Sequence, residues 1–236
     1  MPPTTSPFRR LDEAPIRATI ARLQARIGER FPDSGLAGLA EELRAIASEA
    51  SETVDALGRP NWPIRLGVGV LITAMLLLVV AGAVSLREPA KVDGWGQLVQ
   101  VIESGINDLV FMGAAIFFLV TVEGRLKRRR ALHALHELRS VVHIVDMHQL
   151  TKDPERLLSA EAPTESSPER AMTPGELGRY LDYCSELLSL SSKVAALFVQ
   201  RLNDPVVLSA VNEIETLAAS LSNKIWQKIT LLDRLR

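Results

Sequence analysis

The chain has 236 residues, with 27 basic and 28 acidic side chains and a formal net charge of -1 at pH 7. This balance argues against a nucleic-acid partner, which selects a basic surface. Aromatic residues make up 5% of the chain and a single cysteine excludes an intrachain disulfide. Because Gly and Pro concentrate at a few breaks, the composition predicts an almost wholly helical protein.

The first 60 residues predict two amphipathic helices. Apolar residues recur at helical spacing over residues 16–31, and again over residues 36–57 near a seven-residue repeat. The break Pro-Asp-Ser-Gly at 32–35 predicts that the two helices form an antiparallel hairpin. Two prolines and a glycine follow the second helix. We therefore expect residues 1–60 to form a cytosolic helical hairpin that is jointed to the next segment.

Residues 64–86 are the first of two apolar stretches. Its 23 residues carry one charge, Arg65, and at about 1.5 Å per residue they cover the roughly 30 Å hydrocarbon layer of a bilayer. Residues 68–84 hold no charged side chain, which exceeds what a buried helix of a soluble protein needs. The stretch predicts a transmembrane helix. The alternative is a soluble bundle with two buried helices.

The second apolar stretch, residues 106–123, is shorter and carries two polar residues in its first turn. It lies at the low end of the length range for a transmembrane helix. Trp62 and Trp95 precede the two stretches, and indole rings favour the headgroup level of a bilayer. We therefore predict a two-helix transmembrane region over residues 61–124.

A basic cluster closes the second stretch and fixes its direction. The connection over residues 87–105 holds only two basic residues, and flanking Lys and Arg residues stay in the cytoplasm. Both termini are therefore expected in the cytoplasm, with the chain a multi-pass protein of a bacterial inner membrane. Each charge is also expected to attract anionic lipid headgroups by about 1 kcal/mol. The cluster consists of Arg125, Lys127, Arg128, Arg129 and Arg130.

A long stalk helix is predicted to continue the second span into the cytosol. Residues 107–149 contain no proline, and within them Gly124 is the only glycine after Gly113. One nearly continuous helix is therefore expected, with residues 125–153 as its cytosolic part. The alternative is a kink at Gly124 with two separate helices.

The last third of the chain predicts a linker and a second helical hairpin. Residues 154–173 include a polar Pro- and Ser-rich segment that is typical of a surface linker. Three helix starts pair a capping residue with proline, at 153–154, 173–174 and 204–205. The apolar stripes of residues 174–236 predict an antiparallel hairpin with a two-residue connection. Its single cysteine, Cys184, lies on one such stripe and is expected to be an inert core thiol.

All four histidines lie between residues 133 and 148. On a helix, His133, His136 and Glu137 are one turn apart, so they can supply two ligands to a divalent metal, with a third from elsewhere. No other cofactor is expected. The alternatives for this face are a pH response and ordinary polar surface.

A mildly polar strip follows the second span. Asn107, Ala114 and Thr121 repeat every seventh residue, with Asp108 beside the first. In an oligomer this strip would line a pore, and in a monomer it would contact the first span. Asp108 alone would also suit the headgroup layer.

These patterns contain no catalytic signature. They favour a non-enzymatic membrane anchor, scaffold or regulatory module whose cytosolic helices associate with each other in a homo-oligomer, or with a helical protein partner. The outline is similar to that of two-transmembrane effectors of bacterial conflict systems, from which no functional residue is carried over. The alternatives are an oligomeric channel or membrane-permeabilising effector, and a metal-dependent membrane enzyme.

Overall fold

The computed structural model describes residues 10–85, 95–154 and 172–233. Within these ranges the chain forms helices and turns without a strand, which confirms the all-α prediction. It divides into two units, which we call the bundle (Met1–Gly58 with Arg128–Arg236) and the hairpin unit (Arg59–Lys127). The helices of the described residues are α1 (Glu13–Arg30), α2 (Gly35–Gly58), α3 (Trp62–Ser85), α4 (Trp95–Leu150), α5 (Pro174–Arg201) and α6 (Pro205–Asp233).

Side chains that accept hydrogen bonds from backbone amides mark the helix starts. Asp12 accepts from the amide of Ala14 at the start of α1. At α5, Thr173 and Glu176 form the predicted capping box, each side chain bonding the other's backbone amide. These caps fix the residues at which α1 and α5 begin. The predicted helix start at 153–154 leads into residues 155–171. These residues, which make up most of the predicted linker, lie outside the described residues.

Polar contacts between helices fix the directions inside the bundle. Arg128 on α4 pairs with Asp204 just before α6, and the Lys228 ammonium on α6 donates to the carbonyl of Gln149 near the end of α4. Arg139 pairs with Glu213 between these two points. Helices α4 and α6 therefore run parallel. We call the two ends of the bundle the Arg128 end and the Gln149 end.

The remaining bundle helices alternate in direction around this pair. Helix α5 returns from the Gln149 end and joins α6 through Leu202, Asn203 and Asp204. The Leu11 amide, just before α1, donates to Gln200, so α1 starts at the Arg128 end. Helix α2 comes back to that end, where Asp55 pairs with Arg201. Both segments that lead to the hairpin unit, after Gly58 and before Arg128, therefore leave the bundle at one end.

One apolar core unites the five helices of the bundle. The stripes predicted for the two terminal hairpins are buried, and so is the apolar stripe of α4 over residues 131–145. Close packing of such stripes is the main source of stability in helical bundles. Fully buried side chains come from every helix and include Leu23, Leu43, Leu138, Leu188 and Ile225.

The hairpin unit has the opposite distribution of apolar side chains. The part of the chain that the structure describes contains two helices long and apolar enough to cross a membrane, and none of the residues in their apolar windows is buried. Large side chains such as Leu66, Leu77, Phe111 and Phe117 are exposed. Helix α4 begins at Trp95, 11 residues before the start predicted for the second span. No proline interrupts residues 95–105, so the helix includes this part of the predicted connection.

Helix α2 begins where it meets a histidine from α4. A Cβ added to Gly35 would lie within 3.1 Å of His148 Nε2 and closer still to Cε1. Ser34 accepts a hydrogen bond from the Ala37 amide at this start, and Asp33 before it has a positive φ of 58°. Glycine at position 35 therefore permits α2 to approach the end of α4 closely.

We predict that Gly35→Ala lowers the free energy of unfolding of the full chain in detergent by about 1 kcal/mol, because the methyl group displaces His148. Thermal and denaturant unfolding followed by circular dichroism would measure this change. Gly38→Ala is the matched control, since a Cβ there meets nothing within 4 Å, and it should be neutral or stabilising by up to about 1 kcal/mol. Equal effects of the two substitutions would contradict the close approach.

Candidate functional site

A charged cluster ties α3 to α4 inside the hairpin unit. Glu123 on α4 accepts from Arg65 Nε at 2.8 Å and from the Asn61 amide at 3.2 Å. Lys127, one turn further along α4, lies 3.0 Å from the same carboxylate and also donates to the carbonyl of Arg59 at 2.9 Å. The Glu123 side chain is only 16% exposed. This carboxylate thus holds the beginning of α3 and the chain before it against α4.

The predicted lipid-binding cluster is divided by these contacts. Lys127 is engaged by Glu123, and Arg128 donates through Nε to Asp204 at 2.7 Å. Arg125 remains exposed and its guanidinium lies 5.0 Å from the centre of the Phe118 ring. Arg129 and Arg130 are also exposed. Three of the five predicted residues are therefore exposed, and the other two have an ion pair within the chain. Lipid binding itself stays a prediction.

The α5–α6 connection forms a second charged cluster, at the Arg128 end of the bundle. Asp204 accepts from the amides of Val206 and Val207 through one oxygen, and from Arg128 through the other. Burial raises the pKa of Asp204, but the hydrogen bonds from Arg128 and the two amides lower it by a larger amount. The net shift of the pKa is therefore downward. The carboxylate therefore stabilises this contact at neutral pH, and the contribution is lost as the pH falls through its pKa.

The last residue of α5 and this connection together contact both segments that lead to the hairpin unit. Arg201 lies 3.7 Å from Asp55 near the end of α2, and Asp204 holds Arg128 on α4. A Cβ at Gly58 would touch Arg201. Arg201 and Asp204 thus contact the end of α2 and the interior of α4, two segments that are far apart in sequence. Sequence reasoning identified Asp204 as a cap and missed this second role.

The four histidines of α4 differ in their exposure. His133, His136 and His143 are exposed, whereas His148 is half-buried against Gly35. His133 Nδ1 lies 3.4 Å from a Glu137 oxygen. In the described parts of the chain, no group of three or more His, Cys, Asp or Glu side chains is arranged to hold a metal ion. A metal at His133, His136 and Glu137 therefore stays a prediction that needs a ligand from outside this helix.

The polar strip of the second span lies on an exposed part of α4. Asn107, Asp108 and Ala114 are exposed. Thr121 is half-buried, and its hydroxyl donates to the carbonyls of Phe117 and Phe118 on its own helix. Asn107 and Asp108 therefore present polar groups on the surface of the helix, and contact of the strip with a second copy of the chain stays a prediction.

The Gln149 end of the bundle contains a polar cluster that sequence reasoning missed. Lys228 donates to the carbonyls of Gln149 at 2.8 Å and Lys152 at 3.3 Å, and so caps the end of α4. Burial lowers the pKa of Lys228, while neighbouring carboxylates raise it in part. Gln149 is buried, and its side-chain oxygen has no hydrogen-bond partner, whereas its amide donates to Asp146. Periodicity places Lys228 on a partly buried position but does not identify its acceptors.

We predict that Glu123 and Arg65 are energetically coupled. A double-mutant cycle with Glu123→Gln and Arg65→Gln should give a coupling of about 1 kcal/mol, the size typical of a partly exposed ion pair. Thermal unfolding in detergent would measure it. The matched control is Glu215→Gln with Arg65→Gln, because Glu215 is exposed and belongs to the bundle. Additive effects for the first pair would contradict the contact.

We also predict that Cys184 reacts with thiol reagents only when the bundle unfolds. The side chain is fully buried, and burial raises the pKa of its thiol to about 12 despite nearby Lys228 and Lys152. Roughly one thiol in ten thousand is then ionised at pH 8. Labelling measured between pH 7 and pH 9 should follow the unfolding transition and not the pH. Asn223→Cys adds an exposed control thiol, and stoichiometric labelling of the native wild-type chain would contradict the prediction.

Comparison with known proteins supplies no relative from which a function can be transferred. No protein-family model matches this chain, and neither a curated protein nor a solved structure matches it. The role of the molecule must therefore be inferred from its own contacts, burial and charge.

Proposed function

We propose that the chain is a non-enzymatic regulatory anchor of a bacterial inner membrane, with α3 and the first part of α4 in the bilayer and both termini in the cytosol. The cytosolic bundle would associate with a second copy or with a helical protein partner. The observation that carries this proposal is the double role of α4. One uninterrupted helix, Trp95–Leu150, supplies both an apolar exposed segment and a core helix of the bundle.

The contacts at the Arg128 end support a regulatory role. Both segments leading to the hairpin unit leave the bundle there, and Arg201 and Asp204 bridge them. A partner that moved α5 relative to α6 would change these two ion pairs together. A movement of α5 relative to α6 would therefore reach both connecting segments directly, through these two ion pairs. Such coupling requires that the partner bind the two arrangements with different affinity.

An exposed apolar face on α4 supports helix association. Ile144, Met147 and Leu150 are three residues apart, and all are exposed although the opposite face of the same helix is fully buried. Side chains three and four apart form one face of a helix and match the groove of a second helix. The association of the bundle with a second copy or with a helical protein partner is part of the proposal.

The orientation is tested with single cysteines in intact cells. The native Cys184 is buried, so it does not compete for a membrane-impermeant maleimide. Gly94→Cys, outside the described residues, should be labelled from outside, whereas Arg130→Cys should be labelled only after the cells are permeabilised. The chain should also stay in the membrane pellet after alkaline extraction. Release by alkali, or the reverse labelling pattern, would overturn the proposal.

The alternative of an oligomeric channel is favoured by one observation. Asn107, Asp108 and Ala114 are exposed on α4, where they would face a central axis if several copies assembled. Recording from a planar bilayer would detect unitary conductance, and Asp108→Asn should change its cation selectivity. A protein that is monomeric in detergent and gives no conductance would exclude this function.

A further inference from the structure

Helix α4 carries an exposed row of side chains with the repeat of a coiled coil, which we call the seam. Its six residues are spaced alternately three and four apart, and the buried stripe of the same helix lies on the opposite side. None of the six is Asp, Glu, Lys or Arg, whereas the exposed face of α1 carries Arg17, Arg22 and Arg26. A solvated helix face is usually charged, so the seam is typical of a surface that packs against another helix. The seam consists of His133, His136, Ser140, His143, Met147 and Leu150.

Two histidines of the seam form half of a metal site. His133 and His136 are both exposed, and they lie about 4.5 Å apart along the helix axis and about 60° apart around it. Their imidazoles can therefore reach one ion from the same side of the helix. The Glu137 carboxylate lies 3.4 Å from Nδ1 of His133, which leaves Nε2 of this ring as the nitrogen free to bind a metal. A tetrahedral zinc ion needs two further ligands.

The bundle offers no further ligand beside this pair. Within residues 10–85, 95–154 and 172–233, no group of three or more His, Cys, Asp or Glu side chains is arranged to hold a metal ion. All four histidines of the chain are on α4, and His143 is about 10 Å further along the axis than His136. Cys184 is buried in the core. A second copy of the chain, in contrast, presents the same two histidines on the same seam.

A parallel pair of α4 helices would complete the site. In an in-register pair, each residue of the seam faces its own counterpart. The imidazoles of His133 and His136 from both copies then surround the two-fold axis, which matches the tetrahedral preference of zinc for four ligands. Met147 and Leu150, which are 68% and 62% exposed in the single chain, would bury each other about three and four turns beyond His136.

We propose that one zinc ion, bound by His133 and His136 of two copies, bridges their α4 helices into a parallel dimer. Glu137 is a positioning residue in this site, because it orients the His133 ring. The inference deepens the proposed association of the bundle with a second copy and rests on it.

The first test measures the mass of the untagged full chain in detergent after a chelator has removed bound metal. Zn²⁺ should convert a monomer into a dimer that holds one ion per two chains, and His133→Ala and His136→Ala should each abolish this dimer. His143→Ala is the matched control, since His143 is exposed on the same seam two turns from His136, and it should dimerise like the wild type. A mass that does not depend on zinc, or equal losses in all three variants, would overturn the inference.

The affinity for Zn²⁺ tests the positioning role of Glu137. Glu137→Gln keeps all four nitrogen ligands, so the dimer should keep one ion per two chains while its apparent affinity for Zn²⁺ falls about tenfold. Glu215→Gln, at an exposed site on α6, should leave the affinity unchanged. Equal affinities of the two variants would contradict the role of Glu137.

Disulfide cross-linking tests the parallel register. In the zinc-loaded dimer, Met147→Cys should form a disulfide with its counterpart when diamide is added as the oxidant. Asn223→Cys, which is exposed on α6, should not, and the native Cys184 is buried and does not take part. Cross-linking at both positions, or at neither, would contradict the parallel pairing.

Alkaline extraction distinguishes failure of this inference from failure of the proposed function. A chain that stays in the membrane pellet but remains monomeric with Zn²⁺ in detergent is a membrane anchor without the metal bridge, and this result overturns the inference alone. A chain that alkali releases contradicts the proposed function, whatever its response to zinc.

Discussion

The unbroken backbone of α4 is the constraint on which the rest of the structure depends. Its 56 residues span about 84 Å, and every interior peptide group is satisfied within the helix. The first part can therefore expose apolar side chains without unpaired backbone groups, as a bilayer demands. From Ala131 onward, the same helix buries its apolar stripe among α1, α2, α5 and α6. One helix thus has an exposed apolar part and a part that belongs to the core of the bundle.

The helices and their buried faces could be predicted because they depend on local patterns. The stripes over 16–31 and 174–236 have the period of a helix, and the capping pair Thr173 and Glu176 is recognisable three residues apart. The continuity of α4 through Gly124 was predictable for the same reason, since one glycine costs a helix only about 1 kcal/mol. The early start at Trp95 was missed because hydropathy marks the apolar stretch and not the end of the helix.

The contacts that give the molecule its candidate sites could not be predicted, because they join residues that are far apart in sequence. Glu123 reads as a surface residue at the end of the second apolar stretch until Arg65 and Asn61 are brought to it by the packing of α3. Arg128 reads as one of five equivalent charges, and only tertiary structure assigns it to Asp204. Lys228 similarly needs the end of α4 as an acceptor. Charge patterns identify such side chains but not their partners.

The parallel arrangement of α4 and α6 has a mechanical consequence. Arg128 with Asp204, Arg139 with Glu213, and Lys228 with the Gln149 carbonyl connect the two helices at three heights. Any sliding of one helix along the other would stretch all three connections at once, and side-chain ridges repeat only every turn, about 5.4 Å. Small axial displacements are therefore resisted, and the next favourable register is a full turn away. An axial shift of α4 relative to α6 would therefore have to break all three contacts.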